Sequence, residues 1–124
     1  EVTMHQNQAY ENAVGYEILE NSQVVFTEYI AFNNSYSGFF AHDQAVMTAQ
    51  QNTSYDNGFQ GFEIQNNAQA FIEANTIYNN GMYAILFLGT SSGNVIGNEC
   101  FNNGSGGISI EGTASPTINV NNCQ

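Results

Sequence analysis

Apolar and polar positions alternate along this chain in short runs, and the runs recur at one fixed interval. Tyr16 and Ile18, Phe39 and Ala41, Phe62 and Ile64, Ile85 and Phe87, and Ile108 and Ile110 are apolar pairs split by a single residue. A glycine precedes each pair at Gly15, Gly38, Gly61 and Gly107, with Ala84 standing in once. Period-two alternation over roughly three to five residues marks a short strand with one buried face. Asn-Asn-Gly, Ser-Ser-Gly and Asn-Asn-Ala separate the runs and read as turns. The spacing of three and four that builds an amphipathic helix is missing.

The interval is 23 residues. An aromatic column runs through Tyr10, Phe32, Tyr55, Tyr78 and Phe101, at spacings of 22, 23, 23 and 23. Three residues before it lies the column Asn7, Tyr29, Asn52, Asn75, Asn98, with Asn121 at the last repeat; two residues after it lies Asn12, Asn34, Asn57, Asn80, Asn103. A fixed period of this length is the mark of a solenoid, one coil per repeat. Coils of short strands and tight turns predict an all-β fold, a parallel β-helix (β-solenoid) of about five coils without a capping helix. The expected division is one domain, 1–124, with a partial coil at 1–9 followed by coils 10–31, 32–54, 55–77, 78–100 and 101–124. Each strand pairs with its equivalent about 4.8 Å along the axis. Identical side chains then lie over one another, so each Asn column forms a hydrogen-bonded ladder, donating one way and accepting the other.

The segments Thr76-Ile77-Tyr78-Asn79-Asn80-Gly81 and Glu99-Cys100-Phe101-Asn102-Asn103-Gly104-Ser105-Gly106-Gly107-Ile108 resemble the loose repeat of right-handed parallel β-helix proteins. These are the pectate-lyase-like and periplasmic copper-maturation-type families. The resemblance covers the whole chain and implies the fold. It implies little about activity, because the same coil carries lyases, hydrolases, epimerases, adhesins and inert scaffolds.

Charge changes the picture next. The chain has 11 acids, no Lys and no Arg, for a net charge of -11. Nothing in it contacts phosphates, which excludes nucleic acid, and anionic membranes are excluded on the same ground. No apolar run of about 18 residues exists to span a bilayer. Trypsin-like proteases find no site. The opening Glu1-Val2-Thr3 reads as a processed or excised start. Enzymes of the resembled families use an Arg or Lys base with a calcium cradle, or an Asp cluster with a His and basic residues. The absence of both cations therefore predicts no enzyme and no catalytic residue.

The candidate acidic cluster is His42, Asp43 and Glu20. The period puts Glu20 and Asp43 in one column a coil apart, with Asn66 next. Two carboxylates so placed repel unless they are exposed, share a proton or bind a cation, which makes Glu20 and Asp43 a candidate calcium pair and calcium the one candidate cofactor.

Cys100 and Cys123 also lie 23 residues apart, hence on neighbouring coils about 5 Å apart, within reach of a disulfide. Their column reads Ala9, Ala31, Ser54, Ile77 upstream, small and apolar enough for the interior. An intercoil disulfide is expected; a buried thiol pair and an interchain bridge are the alternatives. The aromatic column either turns inward to fill the core or faces outward as a sugar platform or packing stripe. Phe39, Phe62, Phe71 and Phe87 are expected in the core. Asn33, Asn52 and Asn103 begin glycosylation sequons.

The first coil keeps Val2, Met4 and Asn7, the last keeps Ile118, Val120 and Asn121, and both ends read as open edges. With the composition, this resembles the amyloid-like sheath proteins of some methanogenic archaea. The expectation is a non-enzymatic structural protein, self-assembling end to end or laterally into an extracellular or cell-envelope filament, hoop or sheath. The alternative is a fragment of a carbohydrate-binding or carbohydrate-active β-helix protein. Its partner would be a neutral glycan, because a -11 surface repels polyanions such as pectin or alginate.

Overall fold

The computed structural model describes residues 2–124; Glu1 lies outside it, as do the side chains of Val2, Thr3 and Met4, so the expected edge role of Val2 and Met4 falls outside the described residues. Seventeen strands wind into coils of three, and each strand of a coil belongs to a different parallel sheet. The first sheet stacks β1 (Val2–His5), β4 (Gln23–Thr27), β7 (Val46–Gln50), β10 (Gln69–Glu73), β13 (Ser92–Ile96) and β16 (Thr117–Asn119). The second stacks β2 (Gln8–Tyr10), β5 (Ile30–Phe32), β8 (Thr53–Tyr55), β11 (Thr76–Tyr78), β14 (Glu99–Phe101) and β17 (Asn122–Cys123). The third stacks β3 (Tyr16–Ile18), β6 (Phe39–Ala41), β9 (Phe62–Ile64), β12 (Tyr83–Phe87) and β15 (Gly106–Ile110). The register is one repeat throughout, as in Phe39 against Phe62 and Phe62 against Ile85. No helix occurs among the described residues, and so none long and apolar enough to cross a membrane.

The corners explain where the Asn columns come from. Gln6, Glu28, Gln51, Ala74 and Val120 all have positive φ, with Gly97 in the same column, and each directly precedes a position of the first Asn column. Glu11, Asn33, Asp56, Asn79 and Asn102 do the same before the second. A left-handed residue turns the chain sharply, and the next side chain is carried inward. The ladder amides from Asn34 to Asn103 are consequently buried, while Asn7 and Asn12 at the N-terminal end are exposed. Asn75 shows the full pattern: its backbone N–H and its Nδ2 both donate to Oδ1 of Asn98, each at 2.9 Å, and Nδ2 also donates to the Ala49 carbonyl at 3.0 Å. Both amide hydrogens and both acceptor sites are used, which burial requires. Asn52, Asn57, Asn80 and Asn98 repeat the scheme. Asn12 and Asn34 continue it at the N-terminal side. Where Tyr29 replaces Asn, its backbone N–H still donates to Asn52 Oδ1 and its hydroxyl accepts from Asn7 Nδ2 at 2.7 Å, so the column stays connected.

Inward side chains form one core, with Phe39 stacked on Phe62 at 4.5 Å and Tyr16 on Phe39 at 5.1 Å. The glycines before β6 and β9 keep this core tight: a Cβ on Gly38 would stand 2.2 Å from Ser54 Oγ. Phe71 departs from the core expectation. It lies between the buried Ala70 and Ile72 on β10, so strand alternation turns it outward, where it is 36% exposed.

Candidate functional site

The outward face of the third sheet carries the residue between each apolar pair: Glu17, Phe40, Glu63, Leu86 and Ser109, one per coil. Beside it, the turn leading into β6 contributes Tyr36 and Ser37, and the turn into β9 contributes Phe59 and Gln60. Phe40 and Glu63 from this face, Tyr36, Ser37 and Phe59 from the turns, and Val14 enclose a groove of about 290 Å³, with Tyr36, Phe59 and Phe40 as apolar walls and Ser37, Glu63 and Gln65 as its polar lining. Tyr36 and Phe59 are well exposed and meet at 5.0 Å with their planes 57° apart, so they tilt against one another rather than stacking flat.

Glu63 is half-buried and held by three neutral donors. Ser37 Oγ and Gln60 Nε2 both donate to Oε1, at 2.9 and 3.1 Å, and Gln65 Nε2 donates to Oε2. A carboxylate has about four acceptor positions, so Oε2 keeps one free.

One coil back, the His42 ring packs against Phe40 with centroids 4.6 Å apart. Its Nε2 lies 2.7 Å from Glu17 Oε2 and its Nδ1 3.3 Å from Asp43 Oδ1. Burial, the largest single influence, lowers the ring's pKa; the hydrogen bonds and charges of Glu17 and Asp43 together outweigh it, and His42 sits above the usual histidine value. Asp43 is held below the usual carboxylate range, first by the N–H of Glu20 donating to its Oδ2 at 3.1 Å and then by His42.

Of the expected cluster, His42 and Asp43 meet directly, while Glu20 contributes its backbone N–H. The partner that completes the arrangement is Glu17. Glu20 and Asp43 head a third left-handed column with Asn66, Gly89 and Gly112. That column is itself a short ladder, because Asp43 N–H donates to Asn66 Oδ1 at 3.2 Å. One Asp43 oxygen thus faces an N–H and the other a histidine. Among the described residues, no group of three or more His, Cys, Asp or Glu side chains converges in a way that would hold a metal ion. Glu17 and Glu63 were missed in the sequence although the signal was present. They are the middle residues of the Gly-apolar-x-apolar motif, and the alternation that buries their neighbours exposes them.

The remaining columns are placed as follows. Cys100 and Cys123 are joined by a disulfide between β14 and β17, with Cys100 buried in the core. Tyr10, Phe32, Tyr55, Tyr78 and Phe101 face outward on the second sheet as a stack with centroids 4.9 to 5.2 Å apart. Because the rings cover one another's faces, only their edges are offered, which does not suit a sugar platform. Of the three sequons, Asn33 is exposed, whereas Asn52 and Asn103 are buried in the ladders.

Comparison with curated proteins finds no match. Among solved structures, the crystal structure of the periplasmic alginate epimerase AlgG superposes with a TM-score of 0.71 over 96% of this chain at 16% identity, and the chain spans 38% of that protein's length. At that identity the likeness is one of fold. It nonetheless corrects the expectation that the chain is no enzyme: that expectation came from the missing cations, and a solenoid of this architecture forms an epimerase. The sheath reading gains no support, and the carbohydrate alternative is the one with a structural counterpart. The coil of three parallel sheets, the in-register ladders and a match of residues 21–124 to the right-handed β-helix region agree, and the chain belongs to the right-handed β-helix family.

Proposed function

We propose that this chain is the β-helical part of a carbohydrate-active enzyme of the cell envelope or extracellular space, and that a glycan lies in the groove over Glu63. One observation carries the reading. A hydrogen-bonded carboxylate with a free acceptor position lines a groove walled by exposed aromatic side chains, and aromatic rings pack against the apolar face of a sugar ring. The fold shared with a periplasmic alginate epimerase supports the carbohydrate class and the envelope setting, and the Cys100–Cys123 disulfide suits an oxidising compartment.

The reaction proposed for this surface is hydrolysis of a glycosidic bond, with Glu63 positioning the sugar. Glu63 holds the sugar through the free position on Oε2, beside the bond that water cleaves. The absence of Lys and Arg argues for a substrate that is not a polyanion.

Incubation with neutral, amine-bearing and uronate oligosaccharides, followed by measurement of new reducing ends, tests the proposal. Cleavage is expected in at least the first or second class, and Glu63→Gln should lower it by about 10- to 100-fold with the circular dichroism spectrum unchanged. Full activity in Glu63→Gln overturns the role of this groove, and neither cleavage nor binding of any class overturns the carbohydrate reading.

A further inference from the structure

Three features of the groove converge on one class of ligand. The negative charge of Glu63 has no counter-charge: its donors are Ser37, Gln60 and Gln65, all neutral, and the sequence holds no Lys or Arg. Ion pairs among the described residues involve His42 with Glu17 and Asp43 only. The free acceptor position lies on Oε2, which takes a single donor. The walls are exposed aromatic side chains, and aromatic rings attract cations through the negative part of their quadrupole. Beyond the groove's own three features, a net charge of -11 gives the whole surface a potential that concentrates cations and repels uronates.

A neutral sugar satisfies the aromatic walls but leaves Glu63 uncompensated. A uronate brings a second negative charge beside it. A sugar bearing a protonated amine satisfies all three features, with its ammonium on Glu63 and its ring face on Tyr36 and Phe59. We infer that the groove selects amine-bearing glycans, with Glu63 as the residue that reads the ammonium. This rests on the glycan reading above and adds to it the charge of the substrate.

The test is calorimetric titration of the chain with glucosamine oligomers, their fully N-acetylated counterparts and neutral oligoglucosides, at pH 6 and low salt. The free-amine oligomers are expected to bind at least tenfold more tightly than the acetylated ones, with the ratio falling as salt rises and as pH deprotonates the amine. Glu63→Gln should bring the ratio to within about twofold. Glu73→Gln, which removes the same charge from the first sheet, should leave it intact. Equal binding of amine-bearing and neutral oligomers overturns this inference while leaving the glycan reading standing. Binding of no oligomer overturns both. A preference that survives Glu63→Gln but falls in Glu73→Gln assigns it to net charge and overturns the role given to Glu63.

Discussion

His42 and Glu17, on neighbouring coils, are joined by a 2.7 Å contact between Nε2 and Oε2, and they form an ion pair in a chain that has no Lys or Arg. Glu17 reaches His42 because β3 and β6 pair in register, which sets Glu17 beside Phe40, and His42 follows directly after β6 and packs on the Phe40 ring. The contact gives the protein a pH dependence whose direction follows from the two shifts. His42 is raised, so the stability it contributes is complete below the unfolded histidine value of about 6.5 and is lost as pH rises through the folded value. Asp43 is lowered, so its contribution is present above the unfolded value of about 3.9 and is lost as pH falls through the folded one.

The gap in melting temperature between the wild type and His42→Gln should therefore be widest between about pH 4 and 6.5 and should shrink on either side. Thermal melts in steps from pH 3 to 9 measure it. A gap that does not change with pH would mean that the ring acts only by packing on Phe40.

Asn80 and Asn79 are adjacent but differ in kind. Asn80 is buried and donates to Ser54 O at 3.1 Å and to Asn103 Oδ1 at 2.9 Å, whereas Asn79 is exposed at a left-handed position that Asp also tolerates. Asn80→Asp removes both donors and sets a charge among acceptor oxygens, so a loss of about 3 kcal/mol or more is expected. Asn79→Asp should stay within about 0.5 kcal/mol. Denaturant unfolding of the two variants separates them, and equal losses would mean that the ladder does not carry the stability assigned to it.

Phe62 and Phe71 make the same comparison for the core. Phe62 is fully buried against Phe39, and Phe71 faces solvent from β10. Phe62→Ala should cost about 3–5 kcal/mol and Phe71→Ala less than about 1. A large loss at Phe71 would place it inside the core after all.

The Cys100–Cys123 bond closes a loop of one coil and lies partly in the interior. Reduction should cost about 3 kcal/mol on the chain-entropy estimate and should loosen β14 to β17 first. Hydrogen exchange with and without reductant reads this out. Uniform loss of protection across all coils would show that the bond holds the whole solenoid rather than its last turn.

The fold was legible in the sequence because in-register stacking copies the one-dimensional period directly into space. Residues 23 apart are neighbours, so the Asn columns, the Cys100–Cys123 pair and the Phe39–Phe62 stack could each be placed by subtraction. Phe71 was misplaced because hydrophobicity was weighed above its position between Ala70 and Ile72, and alternation overrides composition within a strand. The groove was harder. Its floor residue Glu63 follows from the same alternation, but Tyr36, Ser37, Phe59 and Gln60 come from turns, where the repeat sets the coil and not the direction of a side chain.

Period and alternation were thus enough to establish the parallel β-helix, its ladders and the column to which each residue belongs, because those depend on the repeat alone. Which His42 partner is used, which aromatic pairs tilt rather than stack and which carboxylate lacks a counter-charge depended on the packing of neighbouring coils. Glu17 rather than Glu20 reaches His42, and Tyr36 tilts against Phe59 while Tyr55 stacks flat on Tyr78. These are differences of rotamer and corner geometry between positions that share a column spacing, and a one-dimensional repeat carries no record of them.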